Sequence, residues 1–294
     1  MSIHSYKMRD GVTSLFLALA VLAGSAAQPA APGQQTGESR VALAAVTDQA
    51  NRPLVDVGAD DFVIQEAGQT REVLSIRPAD YPIIVLLDTG DDPRGDFALM
   101  RKAAAHFIER VGQRPIAIGT FGEKPAILTS FEDEREVVME KLDAVTAQAG
   151  APSAILQGAA LAGERIKETG ALFSAIVIIS AVADDASTGT LEELSAPIID
   201  SGAAVHIIAN RPGPAAAAGA PRPPIRALAQ QTHGEFTTVY AAASYQAALD
   251  RLADRMNAEM MIEYLVPVGS KPVDVKVGTR VLGARVRGLG VAPK

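Results

Sequence analysis

Ile83-Ile84-Val85-Leu86-Leu87-Asp88-Thr89-Gly90-Asp91-Asp92 is an apolar run that ends abruptly in acid. Its apolar part offers no polar face, so residues 83–87 read as a strand covered on both sides rather than as one half-open to water. Runs of the same character recur at 116–121, 176–180 and 205–209. Between them the apolar period changes to three and four, in Phe97, Met100, Ala104, Phe107, Ile108 and Val111, and again in Tyr245, Ala248, Leu249, Leu252 and Met256. That period marks helices with one buried stripe. Shorter helical patterns occupy 137–145, 155–166, 191–198 and 225–229, and Gly112, Gly170, Gly202 and Gly234 stand just past helical ends, where a left-handed residue is cheapest for glycine. Strand and helix in alternation imply an α/β fold: a three-layer, doubly wound, mostly parallel sheet with right-handed crossovers. A short strand at 126–129, reached through Glu123-Lys124, is the expected antiparallel exception at one edge.

Both flanks of this core, assigned to 81–258, read differently. Residues 38–80 contain strand-like stretches at 41–46, 62–65 and 72–76, broken by the turn signals Asn51-Arg52-Pro53 and Ala67-Gly68. Residues 259–294 contain others at 260–266, 273–277 and 283–287. Neither piece has enough strands to stand alone, so the two are expected to pair into a small β-sandwich. Ahead of them, Lys7 and Arg9 precede an apolar run at 12–23 and the small residues Ser25, Ala26 and Ala27. This is the pattern of a secretory signal over 1–27, cleaved near Ala27, and the run is shorter than the ~20 residues that span a bilayer. Residues 28–37, rich in Gln, Pro, Ala and Gly, read as a disordered leader. The expected mature chain is therefore exported, periplasmic or secreted, without a membrane span.

Composition narrows the chemistry. The 294 residues include no cysteine, which excludes disulfides, thiolate metal sites and a cysteine nucleophile. With 27 Lys+Arg against 34 Asp+Glu the net charge is −7, and aromatic residues make up only 4%. Neither phosphate neutralisation nor base stacking is provided for, so nucleic acid is not an expected partner. No phosphate-binding glycine loop, nucleophile elbow or GxGxxG occurs. Of the histidines, His106 lies on a helix pattern, His206 in a buried strand and His233 at a helix end, none at metal spacing from another. The segment 211–224, Arg-Pro-Gly-Pro-Ala-Ala-Ala-Ala-Gly-Ala-Pro-Arg-Pro-Pro, forms neither helix nor strand and is expected as a loop on the Asp88 face.

In a doubly wound sheet, loops and helix N-termini converge at the carboxyl ends of the strands, and ligands sit there. Asp88 ends the first core strand at that edge. The order of strand, Asp88, polar loop and helix, then Gly150-Ala151-Pro152-Ser153 opening a helix, then Ile176-Val177-Ile178-Ile179-Ser180, resembles the von Willebrand factor type A domain. More narrowly, Val46-Thr47-Asp48, Asn51-Arg52-Pro53-Leu54, Asp60-Asp61-Phe62 and Glu66-Ala67-Gly68 resemble the leader of a bacterial exported subgroup of that family. Thr232-His233-Gly234-Glu235-Phe236 and Ile262-Glu263-Tyr264 match its C-terminal pattern, and the similarity covers residues 41–292.

The resemblance implies a metal-ion-dependent adhesion site, a DxSxS loop with a Thr and an Asp from two further loops holding Mg²⁺ or Mn²⁺ through oxygen ligands. Asp88 matches the first Asp of that pattern. Gly90 stands for the first Ser, Asp92 for the second and Ser153 for the Thr, while Ala181 falls where the third-loop Asp belongs. The reading is of a degenerate, metal-free site in a non-enzymatic protein-binding module, with Asp88, Gly90, Asp91, Asp92, Ser153 and Asp184 on the partner-binding face. One alternative retains Mg²⁺ or Mn²⁺ on Asp88, Asp92 and Ser153, with Asp184 and Asp185 near enough to reach in. Another is an enzyme of unrecognised chemistry in the same cleft.

Overall fold

The computed structural model describes residues 37–293, apart from residues 55, 91, 93–94, 149 and 211–223. The signal expected at 1–27, the leader up to residue 36, Asp91 and residues 211–223 of the loop expected at 211–224 therefore lie outside the described residues, while Pro224, expected in that loop, is instead the first residue of a helix. In chain order the elements begin with β1 (Gly37–Thr47), β2 (Phe62–Glu66), β3 (Gln69–Arg71), β4 (Val73–Pro78), β5 (Ile83–Asp88) and α1 (Phe97–Arg110). They continue with β6 (Ile116–Phe121), β7 (Ala126–Ile127), α2 (Arg135–Asp143), α3 (Ile155–Lys167), β8 (Ala175–Ser180), α4 (Leu191–Asp200) and β9 (Ala204–Asn210). The last are α5 (Pro224–Gln231), β10 (Phe236–Val239), α6 (Ser244–Asn257), β11 (Glu259–Pro267), β12 (Lys276–Thr279) and β13 (Arg285–Ala292).

The central sheet has the order β10-β9-β8-β5-β6-β7, parallel except for β7, which pairs antiparallel with β6 at one edge. Successive residues of its strands face opposite helical layers. Ile83, Val85, Leu87, Val177 and Ile179 pack with Phe107 of α1, Leu142 of α2 and Leu249 of α6. Ile84, Leu86, Ile176, Ile178, Val205 and Ile207 pack with Leu156 of α3, Ile198 of α4 and Leu228 of α5. All of β5 and β8 is buried, which is why neither run shows alternation. Each fully buried Ile or Leu contributes about 1.5–3 kcal/mol of transfer free energy, so the middle strands anchor the layer order.

The two flanks meet as a sandwich. β1 lies between β11 and β13 in a sheet of order β13-β1-β11-β4, and β2 lies between β12 and β3 in a second sheet. Ala42, Ala44, Val46, Ile262 and Tyr264 of the first sheet and Phe62 and Ile64 of the second form one buried cluster. The other face of the first sheet turns Leu43 and Met261 into the core beneath α1 and α6. Arg40 and Glu66, 4% and 2% exposed, form an ion pair across the sandwich.

Several local expectations are corrected. Gly37, assigned to the leader, is the first residue of β1, because it pairs in register with Pro267 of β11. The stretch 72–76 belongs to a chain that changes sheets at Glu72: β3 pairs with β2, and β4 with β11. β12 and β13 begin later than expected, at Lys276 and Arg285. β10 was not expected as a strand. Only Val239 of its four residues is buried, so it carries no apolar run, and its pairing with β9 makes it a strand. The left-handed residue after α5 is His233, φ 61°, rather than Gly234. Glycine is required at 234 for a different reason: a Cβ there would lie 1.8 Å from the Val205 carbonyl oxygen.

Candidate functional site

Asp88 is the last residue of β5 and Ser180 the last of the neighbouring β8, so the parallel register delivers both to the carboxyl edge of the sheet. Ser153 comes from the loop before α3. These three residues converge. The Ser153 hydroxyl donates to both Asp88 oxygens, at 2.9 Å each, and Ser180 Oγ donates to Oδ2 at 2.6 Å. The backbone N–H of Gly90 donates to Oδ1 at 2.9 Å, and that of Ala181 to Oδ2 at 3.1 Å. Tyr245 of α6 donates to the Ser180 carbonyl at 2.7 Å and ties the last helix to the same edge.

The cluster is internal. Asp88, Ser153 and Ser180 are 1%, 4% and 0% exposed. Burial pushes the Asp88 carboxyl above its ordinary value, while hydrogen bonds from Ser180, Gly90, Ser153 and Ala181 pull it back down. A carboxylate removed from water needs such donors, since an unpaired one costs several kcal/mol. Gly90 makes room for one of them: a Cβ at this position would lie 2.6 Å from Ser153 Oγ and 3.0 Å from Asp88 Oδ1.

The other expected site residues go elsewhere. Asp88, Gly90 and Ser153 were placed on a partner-facing surface, but all three are buried, because the loops bearing Ser153 and Ala181 close over the carboxylate. Asp92 turns towards α1, where its Oδ2 accepts from the Phe97 N–H at 2.7 Å, while its Oδ1 is buried without a hydrogen-bond partner. Asp184 is exposed and stands apart from the cluster. Asp185 accepts from the Leu156 N–H at 3.1 Å and from Ser187 Oγ at 2.7 Å, holding the start of α3 rather than reaching Asp88. Ser180 was missed as a site residue. Its signal was present, a hydroxyl closing a buried strand beside the strand that ends in Asp88. Asn210 and Asp96, also missed, join at 3.0 Å where β9 ends and α1 begins.

No family model matches the chain, and no curated protein does. Solved structures do. A von Willebrand factor type A protein from Catenulispora acidiphila superposes with a TM-score of 0.51 at 11% identity, over 88% of this chain and 74% of that one. The α/β unit has the von Willebrand factor type A fold. Proximal thread matrix protein 1 of the mussel byssus, described with a zinc-occupied MIDAS motif, is also similar in structure. It superposes with a TM-score of 0.50 at 12% identity, over 69% of this chain and 49% of that one.

The A-domain fold raises the question of an ion at Asp88, and the residues present do not suit one. Both carboxylate oxygens already receive donors, so direct ligation would displace at least one of them. Gly90 and Ala181 bring no side-chain oxygen, and Ser153 Oγ fills the space that a residue 90 side chain would enter. Among the described residues no group of three or more His, Asp or Glu side chains is arranged to hold a metal. Mg²⁺ and Mn²⁺ take near-octahedral oxygen sets completed by waters, and the side-chain oxygens that converge here are those of Asp88, Ser153 and Ser180.

Proposed function

We propose that the chain is an exported, non-enzymatic protein-binding or assembly module whose adhesion-type site works without a metal ion. The observation that carries this reading is the closed hydrogen-bond set on Asp88, with the Ser153 hydroxyl seated where a Gly90 side chain would go. The carboxylate then acts as an internal clamp on the loops after β5 and β8 and before α3. A protein partner would meet the outer surfaces of those loops, where Asp184 is exposed and Asp92 half-buried, and recognition would follow loop shape rather than an ion bridging two carboxylates. The A-domain fold of the solved relatives supports an interaction role at this edge. Among the described residues no helix is long and apolar enough to cross a membrane. Export rests on the pattern at 1–27.

One observation favours the alternative, a Mg²⁺- or Mn²⁺-dependent adhesion module on Asp88, Asp92 and Ser153: the buried, unpartnered Oδ1 of Asp92 on the same loop. Calorimetric titration of the purified protein and of Asp88→Asn with MnCl₂ separates the two. The metal-free reading expects no saturable binding below about 1 mM in either protein. Micromolar binding that Asp88→Asn abolishes would establish the alternative instead.

A further inference from the structure

Asp88 marks the carboxyl end of the parallel sheet. At the opposite end, where β10 begins, a cavity of about 600 Å³ opens between the α/β unit and the sandwich. Its walls come from Glu235 and Thr237 around the start of β10, from α6, and from β1 and β13. The volume falls in the range of small-molecule sites. Its charge runs against the acidic balance of the whole chain, since Arg251, Arg255, Arg285 and Arg287 face Glu235, Asp254 and Glu259 there.

The acids are already engaged. Glu235 pairs with Arg255, and Asp254 accepts from Arg110 at 2.6 Å. Glu259 accepts from the Tyr81 hydroxyl at 2.5 Å and lies 3.7 Å from Arg114, which belongs to neither wall. Among the described residues Arg285 reaches the Asn51 side-chain oxygen, at 3.4 Å, and no carboxylate within ion-pair distance. Among the described residues Arg251 and Arg287 meet no carboxylate within ion-pair distance, and both are exposed at the mouth. The Arg255 guanidinium is held below its ordinary value, by burial first and then by the charge of Arg287, with Glu259 opposing. Arg255 and Arg287 therefore repel across this wall, with Glu259 acting as counter-charge to both. The lining carries one more cation than acid, and the guanidinium groups left without a carboxylate match carboxylate and phosphate oxygens in pairs. Ala45, Ala248, Ala258 and Val286 supply an apolar lining beside the arginines.

We propose that this cavity binds a compact organic anion, a carboxylate or phosphate carried on an apolar body, with Arg251 and Arg287 holding the charge and Ala248 and Val286 flanking the body. The site is independent of the metal-free reading at Asp88.

Calorimetry with 4-phenylbutyrate, 4-phenylbutyl phosphate and the neutral 4-phenylbutanol tests it on the purified full chain. Either anion is expected to bind at least about tenfold more tightly than the alcohol. Arg251→Glu and Arg287→Glu, both exposed positions, are each expected to weaken the anions about tenfold or more, with far-ultraviolet circular dichroism and melting unchanged. Tighter binding of the phosphate points to a phosphorylated ligand, and tighter binding of the butyrate to a carboxylic acid. The proposal is overturned if the alcohol binds as well as the anions, if both reversals leave anion affinity unchanged, or if neither anion gives saturable heat up to about 10 mM.

Discussion

A single missing side chain shapes the Asp88 cluster. Gly90 lies outside the left-handed region, so its backbone tolerates any residue, yet the space beside it is taken by Ser153 Oγ. Gly90→Ser is expected to cost about 1–3 kcal/mol in urea unfolding, the range for overpacking a filled site. Combined with Ser153→Ala, which vacates that space, it should cost less than the two single changes added together, by at least about 0.5 kcal/mol. Strict additivity would mean that the two side chains do not compete. His206 offers a pH test. Its Nδ1 is buried without a partner, and burial, with the nearby charge of Arg255, lowers the imidazole to about 3. The folded value lies below the 6.5 of a free imidazole, so below pH 6.5 the unfolded chain takes up a proton that the native state refuses. Stability present above pH 6.5 is therefore lost as pH falls towards 3. The loss relative to His206→Gln should reach about 1–2 kcal/mol by pH 5, read from paired unfolding curves. Parallel curves for the two proteins would refute it.

Whole elements were legible where burial is two-sided and the period is long. β5, β6, β8 and β9 and helices α1, α3 and α6 fall within a residue or two of their expected bounds, because an uninterrupted apolar run or a three-four repeat needs no knowledge of the partner. β10 was not legible: Thr237 and Thr238 are only half-buried, and the strand exists because β9 offers an open edge. The approach to that edge is tight. Gly234 donates to the Ala229 carbonyl at 2.8 Å while its α-carbon presses on the backbone of Val205. Gly234→Ala should therefore destabilise by about 3 kcal/mol or more in urea unfolding, because a backbone carbonyl cannot swing aside. Gly278→Ala in β12, whose nearest contact would be 3.8 Å, is expected to stay within about 0.5 kcal/mol of the parent. Equal effects at the two positions would contradict the close approach.

At the scale of the whole molecule, residues far apart in sequence complete one another's sheets. Deleting 276–293 would remove β12 from β2 and β13 from β1, leaving open edges and half a sandwich core. Trypsin is then expected to cut after Arg40 and Arg71, which pair with buried Glu66 in the intact chain. Continued protection of both sites in the truncated protein would show that the N-terminal strands hold without the C-terminal ones. From sequence alone, hydrophobic period determined the layered α/β core, its strand order in the chain and the position of Asp88 at a strand end, since these depend on neighbours within a few residues. The tertiary structure alone decided that β1 sits between β11 and β13, that Ser180 rather than Asp184 or Asp185 meets Asp88, and that four arginines line one cavity. Each of these joins residues separated by dozens to hundreds of positions, and no local periodicity records which distant segment will arrive beside them.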